Sequence, residues 1–364
     1  MKISIVVLPG DGIGPEVTSE ALKVLGAVAS KFSHHLETTE FPFGSAALDA
    51  AGTGFPKEAR EACASTRAIL LGAVGDPKHD ALPPSERPEA ALLQLRKLIE
   101  SFANLRPVVS QYVSARSPFQ RETLKGVDLL IVRELLGGLY FGAPRGIEGS
   151  GSSRRAVNTM TYSVAEVERV AKVAFDAAAS RRGRVTSVDK ANVLECSKLW
   201  REVVTDVGRA HPGVELDHML VDRAAMELIA RPSYFDVVLT ENLFGDILSD
   251  EASMLAGSMG LLPSASIGSG IGLYEPVHGS APDIAGRGIA NPVGAIASAA
   301  MLLRYSFDLE SEARAIEKGV EAAFAEDVVT ADLAEPGRAR STREVGDFIA
   351  KVISAGPEPR SSPR

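Results

Sequence analysis

A chain of 364 residues exceeds what one hydrophobic core usually serves, so two domains are expected. Its composition, 45% hydrophobic with 33 glycines and 21 prolines, is that of a folded, turn-rich protein. The formal charge of −8, from 39 basic and 47 acidic side chains, argues against general nucleic-acid binding. Cys63 and Cys196 lack zinc-ligand spacing and build no disulfide framework, which suggests a reducing compartment. Apolar runs such as Ala68 to Leu71 are far too short to span a bilayer, and no leader-like pattern opens the sequence. A cytoplasmic location is expected, for an enzyme or a metabolite-binding protein alike.

In chain order, Ile3 to Leu8 reads as a strand feeding the glycine-rich turn Gly10-Asp11-Gly12-Ile13-Gly14. A helix from Pro15 to Ser30 follows, with Val17, Ala21, Val24, Leu25 and Val28 in one stripe and Pro15 at its first turn. Helix, strand (Ala68 to Leu71) and turn occupy Glu58 to Gly75. A proline-rich loop leads to a helix opened by Pro88-Glu89 and containing Leu92, Leu93, Leu95 and Leu98. Asn104 to Val113 looks extended, and Val127 to Val132 reads as a strand ending at Arg133. Ser150 to Arg155 reads as a polar tip, with Thr159 to Tyr162 as a returning arm. Helices over Val164 to Ser180, from Leu194, and over Ala224 to Ile229 alternate with strands at Arg184 to Asp189, Val214 to Met219 and Phe235 to Thr240. Asn291 to Phe307, Glu312 to Ala325 and Thr342 to Ser354 close the chain as helices, before a loose end from Pro357 to Arg364. This alternation predicts an α/β protein with a mixed or parallel sheet. The expected layout is discontinuous: 1–103 with 255–364 forms one domain, and 104–254 is inserted as the other.

The most informative stretch is Thr240-Glu241-Asn242-Leu243-Phe244-Gly245-Asp246-Ile247-Leu248-Ser249-Asp250. Asp246 and Asp250 are four apart and share one face if helical. Two such carboxylates repel unless something positive lies between them, and a hard divalent cation is the natural candidate. Ile247, Leu248 and Met254 are expected to face the interior. A solvated acidic helix face is the alternative.

The glycine turn does not spell G-x-G-x-x-G, because Gly10, Gly12 and Gly14 alternate and Pro15 follows. A Rossmann site is therefore not expected, and no G-x-x-x-x-G-K-[ST] phosphate loop occurs. His278-Gly279-Ser280-Ala281-Pro282-Asp283-Ile284-Ala285-Gly286 is a second nucleotide candidate. It combines small residues and backbone donors with a carboxylate able to meet ribose hydroxyls. By itself it is equally a tight structural loop.

Taken together with Leu8 to Glu16, Phe102 to Pro107, Val132 to Leu135 and Asp189-Lys190-Ala191-Asn192-Val193, these stretches resemble the β-decarboxylating dehydrogenase family of isocitrate and isopropylmalate dehydrogenases. The resemblance runs from Leu8 to about Phe348 and points to the isopropylmalate branch. It implies an isopropylmalate/isocitrate dehydrogenase-like two-domain fold with a large mixed sheet, not a Rossmann fold. The discontinuous domain would be the cofactor side, and the inserted one the substrate and dimerisation side.

By the same resemblance, Arg96, Arg106 and Arg133 hold the substrate carboxylates, a task that suits the guanidinium fork. Tyr140 and Lys190 form the catalytic pair. Asp222, Asp246 and Asp250 hold Mg²⁺ or Mn²⁺, and Lys190 and Asp222 enter from the partner of a homodimer. Glu275, His278, Gly279, Ser280, Ala281, Pro282, Asp283, Ile284 and Asn291 line the cofactor. Asp283 would repel a 2′-phosphate and Ile284 adds no positive charge, so NAD⁺ is favoured over NADP⁺. Glu89 and Leu92 offer a methylene stem and apolar surface to an isopropyl group, and Glu89 would repel the third carboxylate of isocitrate. The implied reaction is the NAD-dependent oxidative decarboxylation of (2R,3S)-3-isopropylmalate to 4-methyl-2-oxopentanoate and CO₂ in leucine biosynthesis. D-malate, tartrate, isocitrate and homoisocitrate are the alternative substrates, and a non-catalytic metabolite-binding protein is the alternative class. Leu136, Arg223 and the run Gly149 to Ser153 depart from the family pattern without removing a catalytic group.

Overall fold

Strands and helices are numbered in chain order in a computed structural model that describes residues 1–109 and 119–355. Two units result: 1–100 with 256–355, and 101–109 with 119–255. The end of the expected extended segment at Val113 and the loose end from Pro357 lie outside the described residues.

In the first unit the strands are β1 (Lys2–Gly10), β2 (His35–Glu40), β3 (Ala68–Ala73), β11 (Pro263–Gly268) and β12 (Gly272–Pro276), in the order β2-β1-β3-β12-β11. β1 runs parallel to β2 and β3, β12 is parallel to β3, and β11 is antiparallel to β12. β3 is buried along its whole length, which is why it reads as a continuous apolar run. β2, at the edge, is His-Leu-Glu-Thr-Thr-Glu and mostly exposed, so it carries no apolar signal and was not expected. β11, β12 and the short helix α2 (Ser45–Ala51) were missed as well.

Helices α3 (Lys57–Ser65) and α4 (Pro88–Leu98) precede and follow the β3 segment, and α1 (Gly14–Lys31) buries the expected stripe. α10 (Val293–Phe307) is buried on nearly all sides, packing on β11, β12, α1 and α11 (Glu310–Ala325). The C-terminal helix α12 (Thr342–Ala355) packs on α1 and α11. A second core gathers Val6, Leu8, Phe43, Phe55, Leu71 and Leu95 with their neighbours, and the half-buried Leu92 of α4 packs against it.

In the second unit the order is β4-β5-β10-β8-β9. These strands are β4 (Ser101–Val109), β5 (Asp128–Glu134), β8 (Arg184–Asp189), β9 (Glu215–Leu220) and β10 (Val237–Thr240). β4 is antiparallel to β5, while β5, β10, β8 and β9 run parallel. The short helix α5 (Arg121–Leu124) precedes β5, and α6 (Val164–Ala179) and α7 (Glu195–Arg209) pack on the sheet and on each other. The start of α6 is fixed by a capping box: the Ser163 hydroxyl accepts from Glu166 N–H at 3.4 Å, and the Glu166 carboxylate accepts from Ser163 N–H at 2.7 Å. Helices α8 (Val221–Ala230) and α9 (Asn242–Ala256) follow β9 and β10.

Two expectations need correction. The arm pairs β6 (Gly146–Glu148) with β7 (Arg155–Val157), so Thr159 to Tyr162 is not its returning strand. Short polar strands joined by a glycine-rich tip give no period to read. On α9, Leu248 is buried as expected, but Ile247 is 58% and Met254 45% exposed in the chain. An apolar residue facing outward has the same sequence signature as one facing inward.

Candidate active site

In both units most of the singled-out residues lie at or beyond the carboxyl ends of parallel strands, where α/β sheets present their loops to ligands, whereas Arg106 lies within β4, which is antiparallel to β5. In the second unit Arg133, next to last in β5, is in register with Thr240 of β10, and Thr240 is in register with Val188 of β8. The Tyr140 turn, α9, Lys190 and Asp222 follow β5, β10, β8 and β9 respectively.

The densest cluster joins β5 to α9. The Arg133 guanidinium, 3% exposed, donates through Nη1 to Asp246 Oδ1 and through Nε and Nη2 to Asn242 Oδ1 at 3.1 and 2.8 Å. Gly245 permits this approach, because a Cβ there would stand 2.6 Å from Arg133 Cγ and 2.2 Å from Thr240 Oγ1. Tyr140 Oη donates to Asp246 Oδ2 at 2.8 Å, and Arg133 lies over the Tyr140 ring. Burial, then the Asp246 carboxylate, pushes the Tyr140 phenol up to about 12. It is a protonated donor at neutral pH.

One helical turn on, Asp250 lies 3.4 Å from Arg106 Nη1. Arg106 is held by Asn104 Oδ1 at 2.7 Å and Ser249 Oγ at 2.6 Å. Burial pushes the Asp250 carboxyl up, and the like charge of Asp246 adds to this against the attraction of Arg106. Two hard carboxylates one turn apart, with one of them resisting ionisation, fit a divalent cation. Their side chains are 36% and 56% exposed, which leaves their oxygens accessible.

Asp222 is not gathered with them. Its Oδ1 accepts from Lys190 Nζ at 2.5 Å, and this bond holds the Asp222 carboxyl below its usual range. Among the described residues no group of three His, Cys, Asp or Glu side chains could hold a metal within one chain.

In the first unit the glycine turn after β1 is structural. Asp11, buried, accepts from the N–H groups of Ser45, Ala46 and Gly75 at 2.9, 2.9 and 2.8 Å. Gly12 has φ +57°, and a Cβ there would stand 2.0 Å from Ser280 O. Ile13 N–H donates to that same carbonyl at 2.8 Å. The turn therefore braces the loop that follows β12.

That loop is tied down at several points. Glu16 accepts from Gly286 N–H and Gly288 N–H, and Asn291 Nδ2 donates to Asp332 at 3.0 Å. Ala281 adopts φ +39°, while Asp283 is exposed and Ile284 half-buried. His278 Nε2 is buried with no hydrogen-bond partner among the described residues, and burial lowers the ring's basicity. An orphaned polar atom and, five residues on, an exposed carboxylate, both on a braced loop, fit a bound nucleotide.

Arg96 donates to Glu275 Oε1 at 2.8 Å, so the expected carboxylate-binding arginine is engaged with an expected cofactor residue. Glu89 is exposed on α4, its Oε1 beside Gly75. Asn104, Ser249, Asn242 and Glu134 orient the arginines and the Tyr140 turn, and were not singled out from the sequence. Asn104 and Glu134 are polar residues in largely apolar strands, which is a legible signal, while Asn242 and Ser249 lie in the mixed polar sequence of α9 and carry none.

The family model for isocitrate/isopropylmalate dehydrogenase matches residues 4–349. A 3-isopropylmalate dehydrogenase of Anaeromyxobacter dehalogenans is 56% identical over 97% of this chain and 100% of its own. That of Halalkalibacterium halodurans is 54% identical over 98% and 99%. Among solved structures, an isocitrate dehydrogenase from Methylococcus capsulatus superposes with a TM-score of 0.87 at 33% identity, covering 96% of this chain and 99% of its own. With this coverage at both the sequence and the structural level, the chain belongs to the isocitrate/isopropylmalate dehydrogenase family.

Proposed function

We propose that the protein is an NAD-dependent 3-isopropylmalate dehydrogenase of leucine biosynthesis, acting in the cytoplasm as a homodimer. The observation that supports the reading is the Arg133–Asp246–Tyr140 cluster, in which one carboxylate accepts from a guanidinium and from a protonated phenol. Similarity supports the substrate: relatives named for isopropylmalate are 54% and 56% identical, against 33% for the isocitrate enzyme.

Arg96, Arg106 and Arg133 bind the carboxylates of the diacid. Asp246 and Asp250, with Asp222 of the partner chain, hold Mg²⁺ or Mn²⁺, and the His278 to Asn291 loop with Glu275 holds NAD⁺. A cation held there would supply Lewis acidity for the C2 hydroxyl, and NAD⁺ would supply the hydride-acceptor chemistry for C2. Lys190 takes the hydroxyl proton as C2 is oxidised to the ketone. The C3 carboxylate then leaves as CO₂, and the Tyr140 phenol provides the proton that C3 receives. The products are 4-methyl-2-oxopentanoate, CO₂ and NADH.

Dimerisation is supported by large apolar side chains left exposed in the second unit: Val193, Met226, Ile229, Ile247 and Met254. Lys190 and Asp222 pair with each other near this set in sequence, as a donated half-site requires.

The test compares kcat/KM for isopropylmalate, isocitrate, D-malate and tartrate with NAD⁺ and Mn²⁺. Isopropylmalate should win, and Leu92→Ala should cut its preference over D-malate by about tenfold, the worth of one to two buried methylenes. Preferred turnover of isocitrate, or an unchanged preference in Leu92→Ala, would overturn the substrate assignment.

A further inference from the structure

We propose that Asn242 is a positioning residue that locks Arg133 and the Tyr140 turn to one another. Asn242 opens α9 and is 1% exposed. Its Oδ1 accepts from Arg133 Nε and Nη2, and its Nδ2 donates to Gly137 O at 3.1 Å. Gly137 begins the turn that delivers Tyr140, and Tyr140 Oη returns to Asp246, which also accepts from Arg133. The contacts close a ring: Asn242, Arg133, Asp246, Tyr140, the turn, Gly137 and Asn242 again.

The chemistry of this position demands a carboxamide. A guanidinium only donates and a peptide carbonyl only accepts, so the group between them needs one acceptor end and one donor end. Aspartate offers two acceptors and would set an oxygen against Gly137 O. Alanine offers neither end.

The surroundings prevent simple accommodation. The Asn242 N–H donates to Tyr162 Oη at 3.0 Å, and Tyr162 Oη donates to Glu241 Oε2 at 3.2 Å. The Glu241 carboxylate in turn accepts from Leu243 N–H and Phe244 N–H at 3.0 and 2.7 Å, capping α9. On the turn, the Glu134 carboxylate accepts from Leu136 N–H and Gly137 N–H at 2.9 and 2.8 Å. A Cβ at Gly137 would stand 2.6 Å from the Tyr162 ring. Both backbones are pinned, so the Asn242 side chain sets the distance between them. Arg133 and Tyr140 act in different steps, one in binding and one in protonation, and Asn242 couples their placement.

The inference rests on the proposed roles of Arg133 and Tyr140. Its test is steady-state kinetics of Asn242→Asp and Asn242→Ala with isopropylmalate, NAD⁺ and Mn²⁺, alone and combined with Tyr140→Phe. Asn242→Asp keeps the acceptor for Arg133 and should lower kcat by about 10- to 100-fold while KM for the diacid moves less than about threefold. Asn242→Ala should lower kcat similarly and raise that KM by about tenfold or more. KM for NAD⁺ should stay at the wild-type value in both. In the Tyr140→Phe background the kcat loss from Asn242→Asp should largely vanish, because the group being positioned is already gone. If Asn242→Asp does not fold as the wild type does, Asn242→Ser, too short to reach both partners, is judged by the same non-additivity. Losses that multiply across the Tyr140→Phe background, or a fall in active fraction with unchanged constants, would overturn the positioning role. Wild-type protein that ignores isopropylmalate would refute the substrate instead, and the same ratios are then read with whichever diacid it oxidises.

Discussion

Replacing Asp246 by asparagine should separate the metal role of this carboxylate from its part in packing. In the wild type Asp246 accepts from Arg133 Nη1 and from Tyr140 Oη at 2.8 Å. Asparagine keeps one acceptor oxygen, so about one charge-assisted hydrogen bond is lost, worth about 1.5–3 kcal/mol. Part of that is recovered, because the like charge that helps push Asp250 up is removed. Arg133 also keeps its two bonds to Asn242. The net cost to stability is about 1–2 kcal/mol, and a chain of this size loses about 1–2 °C of Tm per kcal/mol. Turnover should suffer far more. Losing a cation that stabilises transition-state charge by several kcal/mol lowers kcat by about 1000-fold or more. The assay is NADH formation with isopropylmalate across a Mn²⁺ titration, beside thermal unfolding and calorimetric titration of Mn²⁺. A variant that keeps more than about one tenth of wild-type kcat would refute the reasoning. So would wild-type protein that is fully active in exhaustive chelator.

The shared site should show in subunit exchange: mixing Lys190→Ala and Tyr140→Phe chains, each of strongly reduced but measurable activity, should restore up to about half of wild-type activity per mixed dimer, since one of its two sites is then intact. No recovery in verified heterodimers, with both parents folded, would exclude it. For the cofactor, kcat/KM should favour NAD⁺ over NADP⁺ by at least about 100-fold, because an Asp283 carboxylate at the ribose would face a 2′-phosphate with like charge. Equal efficiencies would remove Asp283 from the ribose. For pH, burial pushes the Glu134 carboxyl up to about 7, against the two backbone N–H groups that favour its charged form. Its folded value thus exceeds its unfolded one, so its contribution is fully present below the ordinary carboxylate range and is lost as pH rises through about 7. Urea denaturation at a series of pH values should show Glu134→Gln losing up to about 3 kcal/mol less than the wild type between these limits. Parallel stability curves would show that Glu134 stays ionised throughout.

Local periodicity alone determined most of the frame. The stripe of α1, the apolar run of β3, the capped α6 and the all-round apolar α10 are written in residues that act on near neighbours, so their spacing is legible without the fold. The carboxylate pair of α9 was legible for the same reason, since a spacing of four fixes one face. Tertiary structure decided the rest. The polar edge strand β2 exists because β1 pairs with it, and β11 and β12 because of their pairing with each other and with β3. Whether Ile247 or Leu248 faces inward depends on what packs on α9, and their apolar character is the same either way. Arg96 and Glu275 lie 179 positions apart and meet only through the sheet order. Asn242 is one member of the Thr240 to Asp250 stretch with no role legible in the sequence, and the fold sets Arg133 at one end of its carboxamide and Gly137 at the other. A hydrogen-bonding side chain has no period, and its role depends on partners that distant segments bring to it.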